Sequence, residues 1–434
     1  MARKVIANAV RFITAALFIF SGFVKAVDPL GTQYKINDYL TALGADWLVS
    51  DMITLPASMV ISAFEFSCGV FLLFALRRKL ITRVVLAFMA VMTVITLWIA
   101  VADPISDCGC FGDAIIIGNT ETFLKNIVLM VFAILMCRYY EDLIPLVRRS
   151  SQWVVINYTI VFIFVVSGHS LYFLPQFDFR PYYVGADIKK GMEIPEDAEA
   201  PEFETTFIME KDGVKEEFTL DNYPDSTWTF VDSRTVMTKK GYEPPIHDFS
   251  LTLSETGEDI TNEILEDSSY VFLVVSPYLE QADDSNFGEI DRIYEYAIEN
   301  GYKFYGVSSS GDDAVERWRD ITGAEYQFCT ADAITLKTVI RSNPGLVLLK
   351  NGVVIGKWSH NSLPMLDTTN ESMDKVLEES IQQKSVARKI LEMLLWFFLP
   401  LFLLTLADRS YNLHNWVRQR RDRKNNTTTD KLNI

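Results

Sequence analysis

The sequence predicts an α-helical membrane bundle joined to a separate α/β domain. Six apolar runs predict the bundle, and they fall at 9–27, 53–76, 84–102, 123–137, 153–174 and 390–406. Most of these runs reach the ~20 residues that a helix needs to cross a bilayer. Between the fifth and the sixth run lies a polar segment, 176–387, in which patterns of buried strands and amphipathic helices alternate.

Charge separates these two parts. The chain of 434 residues has a formal net charge of −16, and the segment 176–387 holds 41 acidic against 18 basic residues. The acidic excess therefore belongs to this segment. It argues against nucleic-acid binding, which needs basic patches, and it keeps the segment away from anionic lipid.

Basic residues predict how the spans are oriented. They cluster before the first span, between the second and third, between the fourth and fifth, and after the sixth. Cytoplasmic loops carry the excess of Lys and Arg, so both termini are expected in the cytoplasm and the acidic segment in the periplasm. We expect a multi-pass protein of the bacterial inner membrane. Residues 28–40, after the first span, read as a turn and an amphipathic segment along the membrane surface.

A short loop before the fourth span carries two of the five cysteines. It reads Asp-Cys-Gly-Cys-Phe-Gly-Asp over 107–113, and Gly109 and Gly112 allow the tight backbone turns that such a loop needs. A disulfide between Cys108 and Cys110 would close a small, strained ring, and strained, exposed disulfides are the labile ones. The loop therefore predicts a pair of redox-active cysteines.

Three other uses of the pair stay open. It can be a permanent disulfide that holds the loop, or a turn whose thiols take no part in chemistry. Two thiolates are also half of a zinc or copper site, to which Asp107 or His169 could add ligands. We rank redox use first, the structural bridge second and metal binding last. Cys68 and Cys137 lie within or at the ends of helices and read as packing residues.

Two ionisable residues lie inside predicted spans: Lys25 near the outer end of the first, and Glu65 well inside the second. A charge there is costly and marks a candidate functional residue. Lys25 can instead extend to the interface, and Glu65 can be a buried carboxylate that only fixes packing. If Lys25 lies near Cys108, its charge would favour a thiolate, whereas Asp107 and Asp113 would oppose it.

Three motifs carry a family resemblance. They are Ser-Gly-Phe-Val-Lys-Ala-Val-Asp-Pro at 21–29, Glu65 with Gly69, and Cys-Gly-Cys-Phe-Gly at 108–112. Together they resemble the DoxX/MauE family of four-helix membrane proteins over residues 5–145. The resemblance implies a role in thiol chemistry, because MauE-type proteins are implicated in maturing a disulfide-rich periplasmic enzyme. DoxX-type proteins are associated with quinone-linked sulfur oxidation, so a lipid quinone is a cofactor to consider. The fifth span and the polar segment 176–387, which we call the outer domain, depart from the short family members.

The segment 246–366 shows the order strand, helix, strand, helix, helix and hairpin. Apolar runs at 270–275 and 303–307 predict buried strands, and Asn351-Gly352 predicts a two-residue hairpin turn. This order, with Asn343-Pro344 before the hairpin, resembles a thioredoxin-like domain. The resemblance implies that Pro344 occupies the cis-proline position of that family, where substrates bind.

One departure limits the chemistry of this domain. The place where redox-active thioredoxins carry Cys-x-x-Cys reads Ser-Pro-Tyr-Leu-Glu-Gln-Ala-Asp-Asp over 276–284, without a cysteine. The domain cannot run a dithiol cycle alone. Its one cysteine, Cys329, follows a short strand-like stretch, and a lone cysteine there is more often a core residue than a nucleophile.

Two functions remain open at this stage. In the first, Cys108 and Cys110 exchange disulfides with a periplasmic client, which the outer domain presents, and Lys25 or Glu65 assists. In the second, the protein is a non-enzymatic membrane scaffold or chaperone-like binding protein. The expected divisions are 1–150 for the four-helix domain, 151–175 for the fifth helix, 176–245 for a β-rich linker region, 246–366 for the thioredoxin-like domain, 367–387 for a linker helix, 388–407 for the sixth helix and 408–434 for a basic tail.

Overall fold

Twelve α-helices and nine β-strands lie in the part of the chain that this computed structural model describes, residues 2–105, 107–195, 198, 202–211, 214–219, 222, 227–239, 241–366, 373 and 386–432. The helices are α1 Ala2–Val27, α2 Pro29–Ala42, α3 Asp51–Phe74, α4 Arg78–Ala102, α5 Asn119–Arg138, α6 Gln152–Tyr172, α7 Ile188–Met192, α8 Thr261–Leu265, α9 Phe287–Glu299, α10 Asp312–Thr322, α11 Ala333–Val339 and α12 Val386–Leu432. The strands are β1 Glu202–Lys211, β2 Val214–Thr219, β3 Thr229–Lys239, β4 Thr252–Leu253, β5 Tyr270–Ser276, β6 Lys303–Ser308, β7 Gln327–Thr330, β8 Gly345–Lys350 and β9 Val353–Ser359.

Among the described residues, six helices are long and apolar enough to cross a membrane: α1, α3, α4, α5, α6 and α12. They coincide with the six predicted runs, so this part of the predicted fold class is confirmed. The predicted amphipathic segment is α2, which follows α1 after the single residue Asp28. Asp28 caps α2, because its carboxylate accepts a hydrogen bond from the backbone N–H of Gly31 at 2.9 Å.

Two glycines bring α1 and α3 into close contact. A Cβ added at Gly22 would collide with the backbone of Phe66, and one added at Gly69 would lie 2.6 Å from the backbone nitrogen of Ile19. Small residues at such positions let membrane helices approach closely. This contact fixes the position of Lys25 on α1 relative to Glu65 on α3.

The outer domain contains a six-stranded sheet in the order β4-β7-β6-β5-β8-β9. Strands β5, β6 and β7 are parallel, and β8 runs antiparallel to β5 and pairs with β9. The β8–β9 hairpin turns at Asn351 and Gly352, both with positive φ, as the sequence predicts. The Asn343–Pro344 peptide bond that precedes β8 is cis. This is the thioredoxin-like α/β layer that the sequence predicts.

Helices cover both faces of this sheet. One core holds α9 and α10, with the Trp318 ring among its buried side chains. The other core holds α8 and α11, and it also buries Tyr182 and Ile188. Segment 183–188 continues the sheet beside β9, since the N–H of Gly185 donates to the carbonyl of Val354 at 2.7 Å. The predicted boundary at 246 therefore leaves out a segment that packs with the domain.

A second sheet of three antiparallel strands, in the order β2-β1-β3, lies within the predicted β-rich region. The predicted linker helix at 367–387 lies almost entirely outside the described residues. After it, α12 packs against α3 and α6, where the Phe397 ring lies 4.6 Å from that of Phe162 and 5.2 Å from that of Phe66.

Candidate functional site

The two cysteines lie in the connection between α4 and α5, at the end of the bundle that faces the outer domain. Gly109 and Gly112 both have positive φ, as the tight turn requires, and the N–H of Gly112 donates to the carbonyl of Gly109 at 3.0 Å. The turn brings the Sγ atoms of Cys108 and Cys110 to 2.8 Å. The loop therefore holds the two sulfurs side by side, ready to exchange a bond.

The two thiols differ in acidity. The pKa of Cys110 is lowered, first by its hydrogen bond with the Cys108 thiol and also by the nearby cations of Lys125 and Lys25, which together outweigh burial. The same hydrogen bond and burial raise the pKa of Cys108. Cys110 is therefore the more acidic thiol of the pair.

Lys125 supplies one of these charges from α5. Its Nζ lies 4.3 Å from the centre of the Phe111 ring, a cation–π contact that holds the ammonium beside the loop. Phe111 itself is buried and its ring lies 5.6 Å from that of Phe20 on α1. The residue after Cys110 thus anchors the loop to two helices.

The two intramembrane charges are partners of each other. Lys25 Nζ donates to Glu65 Oε2 at 2.6 Å, and the two side chains are 12% and 9% exposed. Lys25 also lies 3.3 Å from the hydroxyl of Ser21, which donates to the backbone carbonyl of Cys110. The ion pair is thereby connected to the cysteine loop through one serine.

The acidic residues that flank the pair are also matched by cations. Asp107 forms an ion pair with Lys35 of α2 at 2.7 Å, and Asp113 lies 3.4 Å from the guanidinium of Arg341 in the outer domain. Negative charges at Asp107 and Asp113 would disfavour a thiolate in the loop. Their ion pairs with cations reduce this effect.

Helix α2 covers the pair on the side of the outer domain. The Tyr39 hydroxyl donates to the carbonyl of Cys108 at 2.8 Å and lies 3.3 Å from its Sγ. The aliphatic part of Lys35 lies against Gly109. Cys108 is 6% exposed as a result, whereas Cys110 is intermediate.

The thioredoxin-like domain turns its cis-proline side toward this loop. Arg341, three residues before Pro344, is 6% exposed, and its Nε lies 3.0 Å from both carboxylate oxygens of Asp28. Tyr278 lies just after β5, and its carbonyl accepts from the Asn343 amide at 2.9 Å. The domain thus brings the segment after β5, which contains no cysteine, to the side of the membrane domain that carries the pair.

The remaining cysteines lie apart from the pair. Cys329 on β7 is 1% exposed in the core of the outer domain, and burial raises its pKa to about 12. Cys68 is buried in α3, and Cys137 lies near the end of α5. The described residues contain no group of three or more His, Cys, Asp or Glu side chains placed to hold a metal ion.

Sequence reasoning identified four residues of this site, Lys25, Glu65, Cys108 and Cys110, and the structure brings all four together. It did not single out Tyr39, Lys125 or Arg341. Lys125 and Tyr39 left only a weak signal: one is a lysine at the outer end of a span, and the other is an aromatic residue in the predicted surface segment. Nothing local in the sequence marks Arg341, since its partner Asp28 lies more than three hundred residues earlier.

Two family models match parts of the chain. Residues 3–139 match the family described as methylamine utilisation protein MauE, and residues 203–240 match a domain of unknown function (DUF8463). The first match covers α1 to α5 and the cysteine loop, less than half of the chain. The membrane domain is therefore MauE-like, as the motifs indicated. No curated protein matches the chain.

Several solved structures are similar to parts of the chain, among them these three. A putative protein disulfide isomerase from Bacteroides thetaiotaomicron is 17% identical, with a TM-score of 0.23, covering 31% of this chain and 82% of its own. The bacterioferritin comigratory protein of Xanthomonas campestris is 14% identical, with a TM-score of 0.20, over 25% and 79%. AhpC of Mycobacterium bovis is 10% identical, with a TM-score of 0.19, over 43% and 96%.

Proposed function

We propose that this membrane protein, with its MauE-like bundle and thioredoxin-like domain, is a thiol–disulfide exchange protein. Cys108 and Cys110 are the reacting pair, and a client protein outside the cytoplasm is the substrate. The observation that carries this proposal is the Sγ–Sγ approach of 2.8 Å. The nearby cations of Lys125 and Lys25, which favour a thiolate at Cys110, support it.

The proposed exchange passes through a mixed disulfide on Cys110. With the pair reduced, the Cys110 thiolate attacks a client disulfide, forms a bond to one client sulfur and releases the other as a thiolate. Cys108 then loses its proton and attacks Cys110 Sγ, which releases the second client thiolate. The client gains two electrons, and the pair becomes a disulfide.

The same steps in reverse would insert a disulfide into a client. In that direction the low pKa of Cys110 also helps, because a thiol of low pKa is the better leaving group. A second thiol–disulfide protein would return the pair to its starting state. The strained ring of a Cys-Gly-Cys disulfide suits such a transient role.

Lys25 and Glu65 would act as positioning residues. Lys25 places a positive charge beside the thiolate, and Glu65 keeps this charge in place within the bundle. Because the side chains of Lys25 and Glu65 are nearly buried, the electric field of Lys25 at the cysteine loop is screened less than that of a surface lysine. Ser21 links this charge to the loop backbone.

The proposed orientation follows the basic clusters. Both termini would be cytoplasmic, and the cysteine loop and the outer domain would face the periplasm of a bacterial inner membrane. Thiol exchange with secreted clients takes place in that compartment. The reacting pair would then lie at the membrane–water boundary.

A crevice in the bundle would suit one part of a lipid quinone, its prenyl chain. A crevice of about 610 Å³ lies between α1, α3, α6 and α12, next to Phe20 and hence to the cysteine loop. All the side chains that line it within the described residues are apolar. They suit the prenyl chain of a quinone, but they offer no hydrogen-bond donor to its carbonyl oxygens. The crevice is thus better suited to hold a lipid tail than to serve as a site of quinone reduction.

The alternative function is a membrane scaffold that binds a client without redox chemistry. It is favoured by the outer domain, where Tyr278 stands at the place of the usual thiols and forms hydrogen bonds with Asn343 and Lys337. In this function the thioredoxin-like surface would bind the client, and the cysteine loop would serve only as its support.

Trapping the thiol state of the pair in living cells tests the proposal. The chain should carry alanine at Cys68, Cys137 and Cys329, so that only the pair reacts with a maleimide reagent of high mass after acid quenching. We expect both thiols to become reduced after a pulse of dithiothreitol and to return to the disulfide when it is removed. A variant with both cysteines replaced is the control for background labelling. A pair that stays oxidised, or stays reduced, under both conditions would contradict the proposal.

A further inference from the structure

We infer that α2 is a lid over the cysteine pair and that Arg341 of the outer domain holds it closed. The inference rests on the proposed function, because it concerns how a client reaches the same two thiols. A client sulfur must reach Cys110, which is only partly exposed beside the buried Cys108. The contacts place α2 over this loop, so a movement of α2 would widen the access to Cys110.

The inner face of α2 lies on the cysteine loop. Tyr39 donates to the carbonyl of Cys108, and Lys35 pairs with Asp107 and lies against Gly109. These are polar contacts at the rim of the membrane, and each can be exchanged for water. The closed position is therefore held by few interactions on this side.

The outer face of α2 is held by the thioredoxin-like domain. The Arg341 guanidinium binds Asp28, the residue that caps α2, and it also lies 5.2 Å from the centre of the Tyr34 ring. Lys337 lies 5.0 Å from the same ring and 4.7 Å from the ring of Tyr278. One side of the outer domain thus binds the start of α2 with two cations.

The same side of the outer domain carries the segment after β5 and the cis-proline. Tyr278 lies in that segment, and Arg341 lies three residues before Pro344. A client that binds this side would compete with α2 for Arg341 and Lys337. Client binding would then be coupled to a greater exposure of Cys110.

The connections at the two ends of α2 allow this movement. Asp28 is the single residue between α1 and α2, and Gly44 follows α2 with a φ of +68°. Gln33 of α2 donates to Asp51 and Thr54, which links the helix to the start of α3. A small cavity of about 40 Å³ between Lys25, Lys35 and Gly109 leaves space beneath the helix.

The test measures the rate at which maleimide labels Cys110 in the reduced full-length chain, purified into lipid nanodiscs, without any client. Cys68 and Cys137 are replaced by alanine, and Cys329 is kept, because this buried thiol reports unfolding of the outer domain. We expect Arg341→Ala to label Cys110 roughly tenfold faster, a factor that corresponds to 1.4 kcal/mol, while Cys329 stays protected. Lys189→Ala, which removes a cation from an exposed ion pair with Glu266 of the same domain, should leave both rates unchanged.

A milder variant covers the case in which Arg341→Ala exposes Cys329 as well. Asp28→Asn keeps the cap of α2 but removes the charge that Arg341 binds, and we expect faster labelling of Cys110 with Cys329 protected. Unchanged labelling of Cys110 in Asp28→Asn, or in an Arg341→Ala chain that is still folded, would overturn the inference. The labelling needs no client, so a lid that opens in a chain that never exchanges disulfides would contradict the proposed function and leave the lid standing.

Discussion

Replacing Gly22 by leucine is expected to prevent the bundle from assembling. A Cβ at this position would collide with the backbone of Phe66 on α3, and backbone cannot move aside as a flexible side chain can. Overpacking of a core costs ~1–3 kcal/mol in ordinary cases and occasionally more, and a collision with helix backbone belongs at the upper end. The separation of α1 and α3 would also part Lys25 from Glu65. The yield of monodisperse protein in mild detergent and its unfolding temperature should both fall.

The matched control is Gly168→Leu on α6. Gly168 is exposed in the described structure, and a Cβ added there would meet nothing within 4 Å. The two variants add the same side chain to a membrane helix, so a difference between them reports the helix contact. Equal yields and unfolding temperatures for the two would show that α1 and α3 do not pack through Gly22.

The second large effect is expected from Glu65→Leu. This change leaves the ammonium of Lys25 nearly buried and without its partner, and removal of one member of a buried ion pair costs ~3–5 kcal/mol. The double variant Lys25→Met with Glu65→Leu removes both charges and should regain most of the lost stability, since an apolar pair of similar volume is often neutral. The free energy of unfolding in detergent measures both changes.

Lys35→Met supplies the comparison for this ion pair. Lys35 and Asp107 are 29% and 21% exposed in their side chains, and pairs near the surface contribute ~1 kcal/mol or less. If Glu65→Leu were no more costly than Lys35→Met, the intramembrane pair would not stabilise the bundle. A double variant as unstable as Glu65→Leu alone would show that lost packing, rather than an unpaired charge, is the cause.

The parts of the fold that depend on local sequence could be predicted. Hydropathy located the six spans, because each of them must satisfy its backbone within one helix. Apolar runs located β5 and β6, and Asn351-Gly352 located the hairpin, because a type I′ turn requires positive φ at both residues. The cis bond before Pro344 followed only from the resemblance, since an X–Pro sequence alone allows either isomer.

The parts of the site that depend on distant contacts could not be predicted. Lys25 and Glu65 were each recognised as costly in a bilayer, but the sequence does not show which faces of α1 and α3 meet. Gly22 and Gly69 set that meeting, and they look like ordinary glycines until the helices are docked. Arg341 is an ordinary surface residue in the sequence, and only the docking of the outer domain buries it against Asp28.

The acidity of Cys110 also depends on docking. The sequence places Asp107 and Asp113 beside the pair, which argues for an ordinary thiol. In the folded chain these carboxylates are matched by Lys35 and Arg341, and Lys125 comes from the next helix to the loop. The electrostatic character of the loop therefore depends on α2, α5 and the outer domain as well as on the loop itself.

Two serine variants test whether the pair exchanges disulfides through Cys110. Cys108→Ser keeps a hydroxyl that can donate to Cys110 and removes the thiol that resolves the adduct, so a mixed disulfide with a client should accumulate as a slower band on a non-reducing gel. Cys110→Ser leaves the buried thiol of raised pKa and should give little adduct, and the variant without either cysteine should insert normally and give none. Reductant should abolish the band.

Absence of an adduct in Cys108→Ser, with every phenotype retained when both cysteines are replaced, would contradict the proposal in favour of a scaffold. Failure of the double variant to fold would show that the pair is a structural bridge.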